Sequence, residues 1–330
     1  MPRILSTKSI YYNDVNLIAQ PAHSAIKSRS DIPKDYRRIF VSPMSAVVGE
    51  TFVKAATDLG VSVGVHRFCD IQKQISLVKA SSHDYINTYA SIGLNDWDRV
   101  SLLKDYVANW IIDCANGYLH QQISAVIDRL KSETHIRRLV IGNIHSKEGI
   151  EIYSKYRNEP FDLLFRVGIA GGSACATSDM TGVNRGQITE IMECSEYIRS
   201  RFSNFYLVAD GGIKNPNYAS KAFAAGADYV MMGSYFAKAM EAQTNIDGDG
   251  TYWGGASHKQ QQMFGGIKRH SEGKVYTITD EKKPVSELVD DLWGGISSAI
   301  SYGGCSTLED FIGTGVFEIK ENSLPPGDRK

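Results

Sequence analysis

The stretch Leu163-Leu164-Phe165-Arg166-Val167-Gly168-Ile169-Ala170-Gly171-Gly172-Ser173-Ala174-Cys175 decides how this chain is read. It opens as a short β-rich run (163–170) and leaves directly into glycines, a serine and a cysteine. Seven similar runs mark the chain, at residues 39–46, 61–67, 87–93, 110–117, 137–144, 205–212 and 229–236. Stretches with helical periodicity separate them, among them 119–131, 187–201 and 217–225. Eight βα units at a spacing of roughly 25 residues match the repeat of a (β/α)₈ TIM barrel. An open doubly wound sheet alternates in the same way. The count of eight in a chain of 330 residues favours closure, so the expected fold is an α/β barrel.

The unusual residues cluster where these runs end: His66-Arg67, Asp113-Cys114-Ala115-Asn116-Gly117, Gly142-Asn143, Gly171-Gly172-Ser173, Asp210-Gly211-Gly212 and Gly233-Ser234. In a barrel those ends converge on one face, which carries the chemistry. Residues 239–283 break the rhythm and are rich in Gly, Gln, Asp and His. A long insertion after the last barrel strand reads as a flap over that face. A helix over 285–301 would close the barrel, and the tail from Glu318 reads as loosely ordered. No linker divides the chain, so residues 1–330 are expected to form a single barrel domain.

Composition narrows the function. The chain is 42% hydrophobic and 22% charged with a formal net charge of -1, which gives no basic face for a nucleic-acid polymer. The start, Met1-Pro2-Arg3-Ile4-Leu5, builds no signal-peptide core, and no apolar run approaches a membrane span. Five cysteines without a C-x-x-C pair argue against a disulfide framework or a zinc site. A soluble, cytoplasmic protein is the expectation.

Glycines after a strand let backbone approach a ligand, and consecutive amides cradle an anion. Cys175 on such a loop suits a nucleophile, although a tight turn with a small buried thiol would read the same way. Loops after the seventh and eighth strands of a barrel often bind phosphate. There Asp210-Gly211-Gly212 suits a ribose diol, because one carboxylate accepts two hydrogen bonds. It is also a common turn sequence.

Gly172-Ser173-Ala174-Cys175-Ala176-Thr177 followed by Asp179-Met180-Thr181-Gly182-Val183 resembles the cysteine loop of the IMP dehydrogenase and GMP reductase family. The resemblance extends through Asn13-Asp14-Val15, Lys27-Ser28-Arg29-Ser30-Asp31, Ser42-Pro43-Met44 and Ile112-Asp113-Cys114-Ala115-Asn116-Gly117. Further matches are Gly142-Asn143, Ala209-Asp210-Gly211-Gly212-Ile213, Val230-Met231-Met232-Gly233-Ser234, and Gly294-Gly295-Ile296 with Tyr302. The CBS modules usual in the dehydrogenases are absent, since Val65-His66-Arg67 runs almost directly into the next helix. The flap stretch Gly265-Gly266-Ile267-Lys268-Arg269-His270-Ser271-Glu272-Gly273-Lys274 is similar to that of the reductases.

The resemblance implies NADPH-dependent conversion of GMP to IMP and ammonia through a thioimidate on Cys175, with Thr177 handling protons. It implies that Asp210 holds the ribose, and that Ser173, Gly211, Gly212, Gly233 and Ser234 hold the phosphate side. Gly255 and Ser257 would lie in the base loop. Asp113, Asn116, Gly117, Ser271, Glu272, Gly273 and Lys274 would face the cofactor, with Lys274 suiting a 2′-phosphate. It further implies a homotetramer and a potassium ion on the carbonyls of Ala170, Gly172 and Cys175. Two departures stand out. Arg67 replaces a lysine and keeps the charge, paired with Asp113, but does not readily give up a proton. His258 replaces a glutamate of the base loop and is expected either to deliver protons or to mark another base. Ala170 for a glycine, Ser178 for an arginine and Ser45 for an aspartate are smaller changes. The alternatives are a reductase or deaminating enzyme for a modified guanine nucleotide such as a 7-deazaguanine, a dehydrogenase lacking CBS modules, and a non-catalytic nucleotide-binding regulator. Cys194 reads as core, Cys69 and Cys114 as structural, and His66 as an orienting residue.

Overall fold

In a computed structural model, residues 8–22, 28–81, 86–263 and 271–320 are described. Lys27 and the flap stretch 265–270 named above lie outside the described residues.

Eight parallel strands close into a barrel: β2 (Ile39–Val41), β3 (Ser62–Val65), β4 (Thr88–Ile92), β5 (Asn109–Ile112), β6 (Arg138–Ile144), β7 (Asp162–Val167), β8 (Phe205–Asp210) and β9 (Tyr229–Met232). Each pairs with its neighbour in sequence, and β9 closes on β2 through Phe40 opposite Met231. This is the expected fold, with every strand inside or within one residue of its expected run. Parallel strands with helices outside are buried on both faces, which is why these runs are almost continuously apolar. Inward-facing Phe40, Tyr89, Ile111, Val140, Leu164, Val208 and Met231 pack into one cluster that fills the barrel. Outward-facing residues such as Val41, Val63, Ile112 and Phe165 join the layer under the helices. Gly64 contributes no bulk to this interior, where a Cβ would meet Pro43 at 3.1 Å.

The outer layer comprises α1 (Glu50–Asp58), α2 (Ile71–Lys79), α3 (Trp97–Leu103), α4 (His120–Glu133), α5 (Glu148–Glu151) and, past the short α6 (Thr177–Thr181) that borders the cleft at the ends of the strands, α7 (Gln187–Arg199) and α8 (Pro216–Ala225). Local chemistry sets their ends. The Asp70 carboxylate accepts from Lys73 N–H at 2.7 Å to start α2. Asn215 caps α8 with Pro216 in its first turn, and Gly226 ends it at φ 116°. After the last barrel strand come α9 (Gln243–Ile246), β10 (Thr251–Trp253), α10 (His258–Met263), β11 (Val275–Thr277), α11 (Val285–Tyr302) and α12 (Leu308–Phe311), of which α11 packs between α8 and α1 and closes the helical ring as expected. The flap is therefore built rather than loose: β10 and β11 pair antiparallel, with Tyr252 opposite Tyr276.

The tail departs from expectation. Residues Phe317–Ile319 form β12, which pairs antiparallel with β1 (Val15–Leu17). Lys320 N–H then donates to Asp14 O at 2.8 Å, and the tail from residue 321 lies outside the described residues. Among the described residues, no helix is long and apolar enough to cross a membrane.

Candidate active site

The C-terminal ends of the barrel strands and the flap enclose a cleft of ≈ 960 Å³. The β7 exit supplies its floor. Gly168, at φ 134°, lies so close to β8 that a Cβ would collide with the Asp210 carbonyl. Ala170 holds φ 64°, the one non-glycine residue at positive φ among those described. That conformation explains why a glycine suits the position, and alanine carries a backbone cost there.

Cys175 follows, half-buried and facing the cleft. Its thiol donates to Thr177 Oγ1 at 3.2 Å, and Thr177 Oγ1 donates to Glu272 Oε2 at 2.7 Å. The three form a hydrogen-bonded relay from sulfur to carboxylate. Glu272 reaches it because the flap is zipped onto the cysteine loop by backbone: Ala176 N–H donates to Glu272 O at 2.6 Å and Lys274 N–H to Ala174 O at 2.8 Å. Small residues permit this approach. A Cβ on Gly273 would meet Ser257 N at 2.5 Å, and one on Gly254 would meet the Ala174 carbonyl at 2.6 Å.

Asp210, at the end of β8, is held by three donors on one oxygen. Arg166 Nε at 3.0 Å, Arg166 Nη2 at 2.8 Å and Asn143 Nδ2 at 2.8 Å all donate to Oδ2. The other face of Arg166 approaches Asp113 Oδ1 at 3.5 Å, and Arg67 Nε lies 3.4 Å from Asp113 Oδ2. The expected Arg67–Asp113 pair is thus present, as one link in a chain of alternating charges. Burial works to lower the Arg166 pKa, but the flanking carboxylates of Asp210 and Asp113 outweigh it and raise the value. Gly142 sits opposite Arg166 in the sheet, where a Cβ would collide with Arg166 Cβ at 2.7 Å.

At the other end Gly211 and Gly212 turn at φ 98° and 76°, beside Gly233 and Ser234. Ser173 Oγ lies 2.8 Å from Tyr276 OH. Tyr252 is buried, which pushes its phenol well up and keeps it a neutral donor. Together these supply glycine turns and hydroxyls, the chemistry that holds a phosphate.

Most of the residues singled out from sequence line the cleft: Arg67, Asp113, Asn116, Ala170, Gly172, Ser173, Cys175, Thr177, Asp210, Gly211, Gly212, Gly233, Ser234, Gly255, Glu272 and Gly273. Others do not. His258, expected beside the base, is exposed at the first residue of α10 and does not line the cleft. Ser257 is fully buried and accepts from Gln260 N–H at 3.2 Å, holding the first turn of that helix. Gly117 is buried behind the rim, donating to Asn143 O at 2.9 Å. Ser271 Oγ bonds within the flap, to Ala256 O and Gly273 O. Lys274 is exposed and paired with Asp179 at 2.7 Å. His66 is also turned inward: it is 6% exposed, and burial lowers its pKa to about 4.

Sequence reasoning misses Arg166 and the hydrogen bond between Glu272 and Thr177. The one signal for Arg166 is a single charge within an otherwise apolar strand. Cys194 is buried in α7 as expected, and Cys114 lines the cleft with its Sγ 3.5 Å from Asn116 O. Ser45, Gln260 and Trp253 form a buried triad, since Gln260 Oε1 accepts from Ser45 Oγ and from Trp253 Nε1 at 2.8 Å. This ties the β2 exit to the flap.

Comparison with known proteins agrees with this fold. A family model described as "IMP dehydrogenase / GMP reductase domain" matches residues 12–323. The chain is 28% identical over 344 residues to a Caenorhabditis elegans protein named GMP reductase, covering 96% of this chain and 93% of the relative. It is 28% identical over 339 residues to mouse GMP reductase 1, covering 94% of each. A Klebsiella pneumoniae GMP reductase is 26% identical over 335 residues, covering 93% of this chain and 94% of the relative.

Proposed function

We propose, for a chain that belongs to the IMP dehydrogenase/GMP reductase family, that it is a GMP reductase-like oxidoreductase releasing ammonia from GMP to leave IMP. The observation that carries this reading is the Cys175–Thr177–Glu272 relay under a flap zipped to the cysteine loop.

In that reading the Cys175 proton passes through the Thr177 hydroxyl to Glu272, and the thiolate adds to C2 of the guanine. The 2-amino group is a poor leaving group and departs as ammonia only when protonated, so the relay returns its proton. Cys175 then carries a thioimidate. NADPH supplies the hydride that replaces nitrogen at C2. The thiolate is the leaving group of the closing step, and overall two protons are taken up as ammonium forms. Asp210 holds the ribose, while Ser173, Gly212, Gly233 and Ser234 hold the 5′-phosphate.

The cofactor-side residues fit in part. Ser271 is engaged inside the flap and Glu272 on Thr177, which leaves Asn116, Asp113 and Lys274 to meet a dinucleotide. Lys274 would exchange Asp179 for a 2′-phosphate. For potassium, the carbonyls of Ala170, Gly172 and Cys175 are a neutral donor set of the kind a monovalent cation takes. Gly172 O already accepts from Cys175 N–H at 2.9 Å and has one lone pair left. A homotetramer belongs to the same reading.

The alternative of a modified-guanine substrate rests on His258 and Arg67. With His258 exposed and outside the cleft lining, and Arg67 paired with Asp113, neither residue favours it. Incubating the protein with GMP and NADPH, while following nicotinamide absorbance and ammonia, tests the proposal. Consumption of NADPH without stoichiometric ammonia would overturn it.

A further inference from the structure

Three donors converge on one oxygen of Asp210, and the cation that provides two of them also reaches the carboxylate across the cleft. We infer that Arg166 is the positioning residue that makes this cleft select a ribonucleotide over its 2′-deoxy counterpart, acting through Asp210. The inference deepens the proposed function and rests on it in one respect, that the ligand is a purine nucleotide.

Arg166 binds Asp210 through Nε and Nη2 together, both on Oδ2, which pins that oxygen against the guanidinium. Asn143 Nδ2 adds a third donor to the same oxygen, and Asn143 is itself anchored by donating to Gly168 O at 2.8 Å. Oδ2 is therefore saturated. Oδ1 has no hydrogen bond within the described residues, and Asp210 lines the cleft. A carboxylate locked this way cannot turn its occupied oxygen toward a ligand, so recognition falls to Oδ1 alone. That oxygen has two acceptor directions, enough for the two hydroxyls of a vicinal diol. A 2′-deoxy sugar leaves one direction unfilled at a site where both Arg166 and Asp210 side chains are only 12% exposed. Losing a hydrogen bond to a charged, largely buried acceptor lowers affinity by about tenfold to a hundredfold.

The lock depends on arginine rather than on positive charge. Lysine would keep the charge but offers a single point of attachment on a flexible stem, and the carboxylate could rotate to offer either oxygen. Arg166 Nη1 has no hydrogen-bond partner and faces Asp113 at 3.5 Å. A change at Arg166 therefore also loosens the cofactor-side carboxylate. Asn143→Ala removes one donor from Oδ2 without altering charge and separates the two effects.

The experiment measures binding of GMP and 2′-deoxyGMP to the full chain by calorimetry, which needs no turnover, followed by kcat/KM with each. The expected result is a preference for GMP of about tenfold to a hundredfold in the unmutated protein. It should fall to within about threefold in Arg166→Lys and to an intermediate value in Asn143→Ala. A residue that only supports the fold would weaken both nucleotides alike and leave the ratio unchanged. Equal affinity in the unmutated protein, or an unchanged ratio in both folded variants, overturns the inference and leaves the proposed function standing. If neither nucleotide binds, the nucleotide reading fails first and the inference falls with it.

Discussion

Replacing Glu272 by glutamine tests the relay at its far end. Glu272 Oε2 accepts from Thr177 Oγ1 at 2.7 Å, and Thr177 accepts from the Cys175 thiol at 3.2 Å, so the carboxylate is two hydrogen bonds from sulfur. Glutamine preserves length and can still accept from Thr177, but it cannot take up or return a proton. Losing one positioned proton-transfer group lowers kcat by about 10²–10⁴, equivalent to roughly 2.7–5.5 kcal/mol of barrier. The KM for GMP should stay within about threefold, because the Glu272 carboxylate is engaged by Thr177. His258→Ala is the control: the side chain is exposed on α10 outside the cleft, and kcat/KM should change by less than about twofold. The assay is steady-state NADPH oxidation with GMP, paired with circular dichroism on each variant. If Glu272→Gln keeps nearly full kcat while His258→Ala loses a hundredfold or so, the relay is wrong and the base-loop histidine handles the proton.

Cys175→Ala should abolish turnover while nucleotide affinity stays within about tenfold, because the covalent step is removed and the phosphate site remains intact; appreciable activity would refute the thioimidate. NADPH should be preferred over NADH by at least about tenfold, and Lys274→Ala should remove most of that preference, read as the ratio of kcat/KM values. Gly273→Ala should cut kcat by about tenfold or more with the thermal midpoint almost unchanged, since its Cβ meets Ser257 backbone at 2.5 Å and unzips only the flap. His66 is buried neutral, with its pKa lowered from 6.5 to about 4 by desolvation. The unfolded chain takes up that proton first as pH falls, so stability should decline from about pH 6.5 to about pH 4, by at most about 3 kcal/mol. His66→Leu should flatten that part of the thermal midpoint against pH, and an unchanged slope would contradict the assignment.

The barrel is legible in the sequence because strands buried on both faces leave a mark that needs no partner to be seen. The runs at 205–212 and 229–236 contain β8 and β9 outright, and their glycine exits become the turns at Gly211 and Gly212 and the Gly233 loop. The pairing of β1 with β12 is not legible. Three residues near each end of the chain carry too little periodicity to announce a strand, and the tail reads as loose although Asn16 pairs with Glu318. The structured interior of the flap is hidden for a related reason, since its β10–β11 pair consists of two three-residue strands separated by a long polar stretch.

The site residues divide along the same physical line. Cys175, Thr177 and Asp210 sit at or just beyond a strand ending, so naming the strand places them in the cleft. For His258 the sequence offers only an offset from the base loop, and offset does not specify direction. Burial of Ser257 as the brace of α10 and burial of Gln260 one turn on set the phase of that helix, and the phase turns His258 to solvent. Glu272 errs the other way. Its neighbours Ser271 and Lys274 make the stretch look like one surface, but the stretch is no regular strand and meets the cysteine loop only through an isolated bridge at Gly273. The backbone zipper through Gly273 places Glu272 on Thr177, 95 positions away in sequence, while Lys274 reaches Asp179 on the outside. Arg166 belongs with these residues whose partners only the fold reveals. A lone arginine in Leu163-Leu164-Phe165-Arg166-Val167 breaks the apolar pattern of a doubly buried strand, and burying that charge would be prohibitive without a partner. The sequence therefore contains the demand for a carboxylate, and only the closed barrel, by bringing the ends of β5 and β8 to either side of β7, supplies two.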